Sequence, residues 1–510
     1  MGRLTCIMNR PAHSVFLIAF LFFFLSYMPS GLTQVPYRFD FNADCRKAYE
    51  EIIKLRLNTG KQILESEKKS DPGNLIPYFL ENYIDFFTLY FNEDPEEYRH
   101  RKPSIDQRLA MMKKGDPASP FYLFTRSVIY FQWAAVEIKF GDRWDAAWSF
   151  RRSFLTGKEN LEKFPDFQPG RMLQGSMQVA AGTIPPGYQW LSNLLGIHGT
   201  IDAGMHNLEN VLYSNDPYAL IFHDEAAFYY LYLKFYILNQ REQVFKYIHL
   251  QNWDTRNNYL FAYLVANLSL NNQDASVTEE IITHLNRDPA YLDMPLWDMQ
   301  LGYARADRLD PESIVYLQRY INRFKGNFYV KDVWQKISWI YYLQHETEKA
   351  RAARARLLVS GNTDTDADKQ AQKEAESGRW PNEILLRARL FDDGGYYSQA
   401  LQVLAGKQVS SFPEAGERLE YYYRTGRIYD ALGRDAEAMA AYQEALRQGE
   451  SRREYYGARA ALQIGYIYEK RGDKKNALIY FKKVLAMRAH DYKNALDQKA
   501  KAGIERCTEG

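Results

Sequence analysis

Between Tyr422 and Tyr442 the chain reads YYRTGRIYDALGRDAEAMAAY, and between Ala461 and Phe481 it reads ALQIGYIYEKRGDKKNALIYF. The first stretch spaces its landmarks as Tyr422-x2-Thr425-Gly426-x2-Tyr429, then Ala438 and Tyr442. The second repeats the register as Ala461-x2-Ile464-Gly465-x2-Tyr468, then Ala477 and Phe481. Working towards the N terminus, the register returns as Ile384-x2-Arg387-Ala388-x2-Phe391 with Ala400, and as Trp334-x2-Ile337-Ser338-x2-Tyr341 with Ala350. In all four copies the step from the Tyr or Phe to the Ala is nine residues.

Small and aromatic residues in this register resemble the tetratricopeptide repeat, a helix-turn-helix unit that stacks into a solenoid. The resemblance implies an all-α chain, a right-handed helical-repeat solenoid with a degenerate N-terminal helical array. Such solenoids bind proteins far more often than they catalyse. The Ala landmarks at 350, 400, 438 and 477 are 50, 38 and 39 residues apart, longer than the 34 of the family. The long first step holds the polar loop Gly361–Asp366 and a charged helix, Ala367 to Ser377. We expect a signal segment over 1–33, a degenerate helical region over 34–325 and clear repeats over 326–490. A capping helix and tail fill 491–510, with Lys493, Lys499 and Lys501 suiting a polar end-cap.

In the family the first helix of each unit lines the concave surface. The resemblance therefore places Arg389, Asp392, Arg424, Arg427, Asp430, Tyr466, Glu469 and Lys470 along a partner-binding groove. Arg with Tyr is a combination rich in interfaces. Arg389 and Arg427 hold equivalent positions, which suggests a basic ladder for an acidic peptide; the alternative is a solvated face with internal charge pairs. Some family members clamp a terminal carboxylate with an Asn at this position. Here the position holds Arg389, Arg427 and Tyr466, so that activity is not implied.

Composition is that of a folded chain, 46% hydrophobic and 25% charged. The 39 Tyr are numerous, and Tyr fills gaps between helices while keeping its hydroxyl wet. Of 65 basic residues only Arg3 and Arg10 precede residue 35, where there is no acid, so the rest of the chain is balanced at 63 against 63. A neutral chain without a long basic run argues against nucleic acid as a partner. Val15–Tyr27 is an apolar run of 13 residues behind Arg3 and Arg10, ended by Pro29, Ser30 and Gly31. A spanning helix needs about 20 apolar residues. The run predicts a bacterial-type export signal, with cleavage between Gly31 and Gln34, and hence a periplasmic or envelope location with peripheral envelope association. The alternative is an uncleaved membrane anchor. Beyond the signal only Cys45 and Cys507 remain, at opposite ends of a long array. They are expected to be free thiols, since a disulfide needs Cα atoms within about 7 Å.

The N-terminal half reads as helices. Asp44 to Glu67, with Asp44 as N-cap, is a first amphipathic helix. Leu75 to Phe91 is largely apolar but broken by Glu81, Asn82 and Asp85. Phe121 to Phe140 and Trp144 to Phe164 flank a Gly141-Asp142 turn, a degenerate form of the repeated unit. Residues 182–204 crowd Gly182, Pro185, Pro186, Gly187, Gly196, Gly199 and Gly204 around Trp190, a tight corner or a ligand-facing loop. This stretch, Ile184-Pro185-Pro186 through Leu195-Gly196 to Gly204, is similar to the tetratricopeptide-repeat-39-like mitochondrial outer-membrane proteins. Pro217 to Ile321 continues as Tyr-rich helices.

No catalytic signature is found. There is no P-loop, dinucleotide fingerprint or nucleophile elbow. After His345-Glu346 the place of a second zinc-binding His is taken by Lys349. His223-Asp224-Glu225 suits a metal or a proton shuttle, but equally a helix start whose acids favour the dipole. No cofactor and no metal are expected. The reading is a non-catalytic scaffold for a protein or peptide partner. The alternative is an aromatic-rich α/α-toroid enzyme acting on glycans, which requires two carboxylates converging on an aromatic cleft near Trp144, Trp148 or Trp190.

Overall fold

The computed structural model describes residues 36–184, 195–488 and 490–508. The segment expected to be an export signal and the Pro185–Leu194 part of the glycine-rich corner, Trp190 included, lie outside the described residues. Those described form an all-α array of packed helix pairs, a helical-repeat solenoid.

The nine-residue step has a backbone origin. In each clear pair a residue at positive φ ends the first helix: His345, Gly395, Gly433 and Gly472. The next residue donates its amide to the carbonyl five positions back, Glu346 to Tyr341, Tyr396 to Phe391, Arg434 to Tyr429 and Asp473 to Tyr468, at 2.8–2.9 Å. This is a Schellman closure, which satisfies a carbonyl left open at the helix end. One helical turn further on, the amides of Ala350, Ala400, Ala438 and Ala477 bond back to that same residue. Five residues across the turn and four along the new helix make nine. All four alanines are fully buried.

The same turn is already in place upstream of residue 326. Leu55, Gly141, Gln273 and Leu309 have positive φ. Arg56, Asp142, Asp274 and Asp310 donate five residues back, to Glu51, Glu137, Ser269 and Arg305, at 2.8–3.0 Å. The buried landmarks there are Gly60, Ala146, Thr278 and Ile314. The turn at Leu55 corrects the expectation of a single helix from Asp44 to Glu67: Ala43–Ile53 and Leu57–Ser70 are a pair. The N-cap of the first is Asn42, not Asp44, its side chain accepting from the Cys45 amide at 3.0 Å.

Close approach recurs between elements. A Cβ on Gly426 would stand 2.6 Å from the Tyr442 ring and one on Gly465 2.5 Å from that of Phe481, so the small residue of the register seats the aromatic of its own second helix. Gly175 on Gln168–Gly182 meets Gly204 on Ile201–Leu212 in the same manner, backbone against backbone. At the C terminus the helix Lys493–Thr508 buries Leu496, Ala500, Gly503 and Cys507 against the last pair. Cys45 and Cys507 are both free and buried. The pair at Tyr259–Thr283 lies against the pair at Glu383–Leu404, although helices from Leu296 to Glu376 intervene. The Gln273 side chain donates to the Asp392 carbonyl at 2.6 Å, and the Ala275 amide to that of Gly394 at 3.2 Å. No helix among the described residues is long and apolar enough to cross a membrane.

Candidate functional site

The coil surrounds a partly open chamber of about 980 Å³. Its wall is built from both halves of the chain, from Tyr90 through Tyr263 and Tyr303 to Arg427, Tyr466 and Lys499. Typical small-molecule sites span about 300–1,000 Å³, so the space admits a compact ligand or a short extended segment but no folded domain.

Five of the residues expected in a groove line this chamber: Arg389, Arg424, Arg427, Asp430 and Tyr466. Four of these carry their own partners. Arg427 lies 3.2 Å from Asp392 and 3.0 Å from Asp393. Arg389 stands 3.6 Å from Asp393 and stacks 4.6 Å over the Trp339 ring. Arg424 is fully buried and bound to Glu420 at 2.5 Å. Asp430 accepts the Tyr442 hydroxyl at 3.2 Å. The other three lie off the wall. Asp392 is fully buried behind it. Glu469 is bound by Arg506 of the end helix at 2.7 Å. Lys470 is exposed at the end of its helix. The two adjacent carboxylates divide their roles. Burial pushes the Asp392 carboxyl up to about 6 despite Arg427, whereas Arg427 and Arg389 overcome burial at Asp393 and hold it below the usual carboxylate range.

The wall is also tyrosine-rich. Burial raises the hydroxyls of Tyr232, Tyr236, Tyr263 and Tyr303 above their ordinary value, so they stay protonated. Tyr303 donates to Asp332 at 2.5 Å. Asp307, 3.6 Å from Lys336, is pushed up to about 7 by burial against the pull of that ammonium.

Among the wall residues that the sequence did not mark as a site are Arg241, Arg459 and Lys499. Arg459 precedes Tyr466 by seven residues on one helix, a spacing that puts both on one face and could have flagged it. Arg241 comes from the other half of the chain and Lys499 from the end helix, and no local pattern links them.

His223-Asp224-Glu225 divides. His223 stands 3.5 Å from Asp224. Glu225 turns inward and accepts the hydroxyls of Tyr49 at 2.7 Å, Tyr83 at 3.0 Å and Tyr229 at 3.1 Å. No metal-holding cluster of His, Cys, Asp and Glu occurs among the described residues. Trp144 is 81% exposed and Trp148 49%, on the outer helix Arg143–Lys163 and away from the chamber.

Residues 419–448 and 458–491 match the family model described as tetratricopeptide repeat. They cover the last two helix pairs, where Gly426 and Gly465 seat their aromatics. No curated protein matches the chain.

Proposed function

We propose that this chain is an exported, non-catalytic scaffold whose chamber takes up a short segment of a protein partner. The match of 419–448 and 458–491 to a repeat that generally mediates protein binding carries the reading. The wall of Arg389, Arg424, Arg427, Asp430 and Tyr466 supplies the surface, and a volume of about 980 Å³ limits the guest to a terminus or an extended loop. Asp392, Glu469 and Lys470 act at one remove, fixing the wall or flanking it. Nucleic acid is disfavoured by the neutral balance of charge. Export, with a periplasmic or envelope location, rests on Arg3, Arg10 and the apolar run Val15–Tyr27.

Photo-crosslinking in envelope fractions tests the proposal. A photoreactive residue at Tyr329 or Asp430, both on the chamber wall, should capture one and the same protein. The same residue at Val359, 79% exposed on an outer helix, should not. Capture from Val359 but from neither wall position would overturn the chamber as the binding surface. Retention of residues 1–33 in a cytosolic protein would overturn export.

A further inference from the structure

We infer that Arg241, Arg459 and Lys499 form a site for a small multivalent oxyanion, a polyphosphate or a polycarboxylate, inside the chamber. This goes beyond the partner reading and does not rest on it.

Three charges of one sign on a common wall need a reason. Elsewhere on that wall cations sit on carboxylates, as Arg427 does on Asp392 and Asp393. Arg241 is held instead by neutral acceptors, the Asn271 carbonyl at 3.0 Å and the Asn239 side chain at 3.3 Å, and by the Phe235 ring 4.8 Å below it. Those contacts aim the guanidinium and leave its charge intact. The side chains of Arg459 and Lys499 have no hydrogen bond or ion pair among the described residues. The acids in the neighbourhood are already engaged, Asp393 by Arg427 and Glu469 by Arg506.

Arg459 acts on both of the others, and Arg241 acts on Lys499. Burial, then Arg459 and Arg241, hold the Lys499 ammonium down to about 7. Burial and Arg459 likewise lower Arg241. Tyr466 lies within this same field, and its hydroxyl is buried with no hydrogen-bond partner. Two guanidinium forks, an ammonium and a free hydroxyl donor suit clustered anionic oxygens, since charge-assisted bonds from Arg to phosphate or carboxylate are the strong ones. A single carboxylate would leave most of the positive charge unanswered, so the ligand carries two or more. Because Arg241 and Lys499 come from opposite halves of the chain, such an anion would also pin the coil closed.

Calorimetric titration of the full chain at low ionic strength tests the site, with pyrophosphate in one arm, citrate in a second and a short oligoglutamate in a third. The first two arms separate a phosphate from a carboxylate ligand. We expect one pyrophosphate or citrate per chain. Arg459→Gln and Lys499→Gln should each weaken binding about tenfold or more. Arg447→Gln, which removes an exposed charge paired with Glu444, should leave binding unchanged. At pH 8 the wild-type chain should take up a proton on binding citrate, whose carboxyls are already ionised, as the anion restores the Lys499 charge; with pyrophosphate the proton that the ligand itself releases is subtracted first. The site is overturned if neither small anion saturates, if only oligoglutamate binds, or if folded Arg459→Gln and Lys499→Gln bind as the wild type does. Should both variants fail to fold, binding at pH 8 without proton uptake by the protein, after the ligand's own ionisation is accounted for, overturns it.

Discussion

The Arg427 guanidinium lies 3.2 Å from the carboxylate of Asp392, a side chain with no exposed surface. The contact joins two successive repeats, and through Gln273 it joins them to a helix pair far back in the chain. Arg427→Ala therefore strands Asp392 beside Asp393 in a buried place. Loss of one partner of a buried pair typically costs about 3–5 kcal/mol. We expect Arg427→Ala to lower the urea midpoint by a corresponding amount. Asp392→Asn in the same chain should restore part of the loss, because the uncompensated charge is then removed. No restoration in the double variant would mean that the two residues act independently.

The glycine of the register is a packing device. Gly465→Val would drive a branched side chain into the Phe481 ring, which stands 2.5 Å from the place of its Cβ. Overpacking typically costs about 1–3 kcal/mol. Pairing Gly465→Ala with Phe481→Leu should return some of the loss suffered by Gly465→Ala alone, since the smaller side chain leaves room for a methyl group. A thermal melt of the two variants reads the difference.

These two contacts also mark how far the sequence was legible. Where the left-handed residue is Gly433 or Gly472 and the buried landmark is Ala438 or Ala477, the pair is visible in the letters. Where the left-handed residue is Leu55, Gln273 or Leu309, and the landmark is Gly60, Thr278 or Ile314, the geometry persists but the letters do not show it. The turn demands positive φ and the crossing demands a side chain that fits, and other residues meet both demands at a cost. Leu55 therefore read as the middle of one long helix. The chamber was legible only in part. Positions on one helix, such as Arg424 and Arg427, follow from the register. The meeting of Arg241 with Arg459 and Lys499 depends on how the whole array curves, which no local spacing encodes.

His345 takes the left-handed conformation, φ +61°, at the place where the next three pairs have glycine. A residue with a Cβ there costs about 1–2 kcal/mol, and glycine gives back about half through the freedom of the unfolded chain. His345→Gly should raise stability by about 0.5–1 kcal/mol, and Gly433→Ala, φ +70° with open space around it, should lower it by a similar amount. Urea midpoints that move the other way would show that the ring of His345 supports the turn.

Glu225 introduces a pH dependence. Its carboxyl is raised above the usual range by burial, against three tyrosine hydroxyls that stabilise the charged form. The folded state thus holds its proton to higher pH than the unfolded state. The contribution is fully present below the unfolded value near 4.5 and is lost as pH rises through the folded one. Glu225→Gln should flatten the fall in stability above pH 4.5 while keeping an acceptor for Tyr49. Glu225→Leu should instead destabilise at every pH by about 1–3 kcal/mol, because the hydroxyls of Tyr49, Tyr83 and Tyr229 lose their acceptor.

Lys499 acts in the opposite direction and in a higher window. Its ammonium is lowered from 10.5 to about 7 by burial and by Arg459 and Arg241, with the neutral Tyr466 hydroxyl beside them. Between these values the unfolded chain binds the proton that the folded chain has released, so stability rises with pH. At pH 9 the Cys45 thiol begins to contribute with the other sign, since its folded value is pushed up to about 12, and the Lys499 effect is best read from pH 7 to 9. Lys499→Met should remove that rise and stabilise the chain most at pH 6, by on the order of 2 kcal/mol, less than the full shift because the side chain keeps some contact with chamber water. A saturating oxyanion should abolish the rise in the wild type by keeping Lys499 charged. An equal slope in wild type and Lys499→Met would place the strain on Arg241 and Arg459 alone.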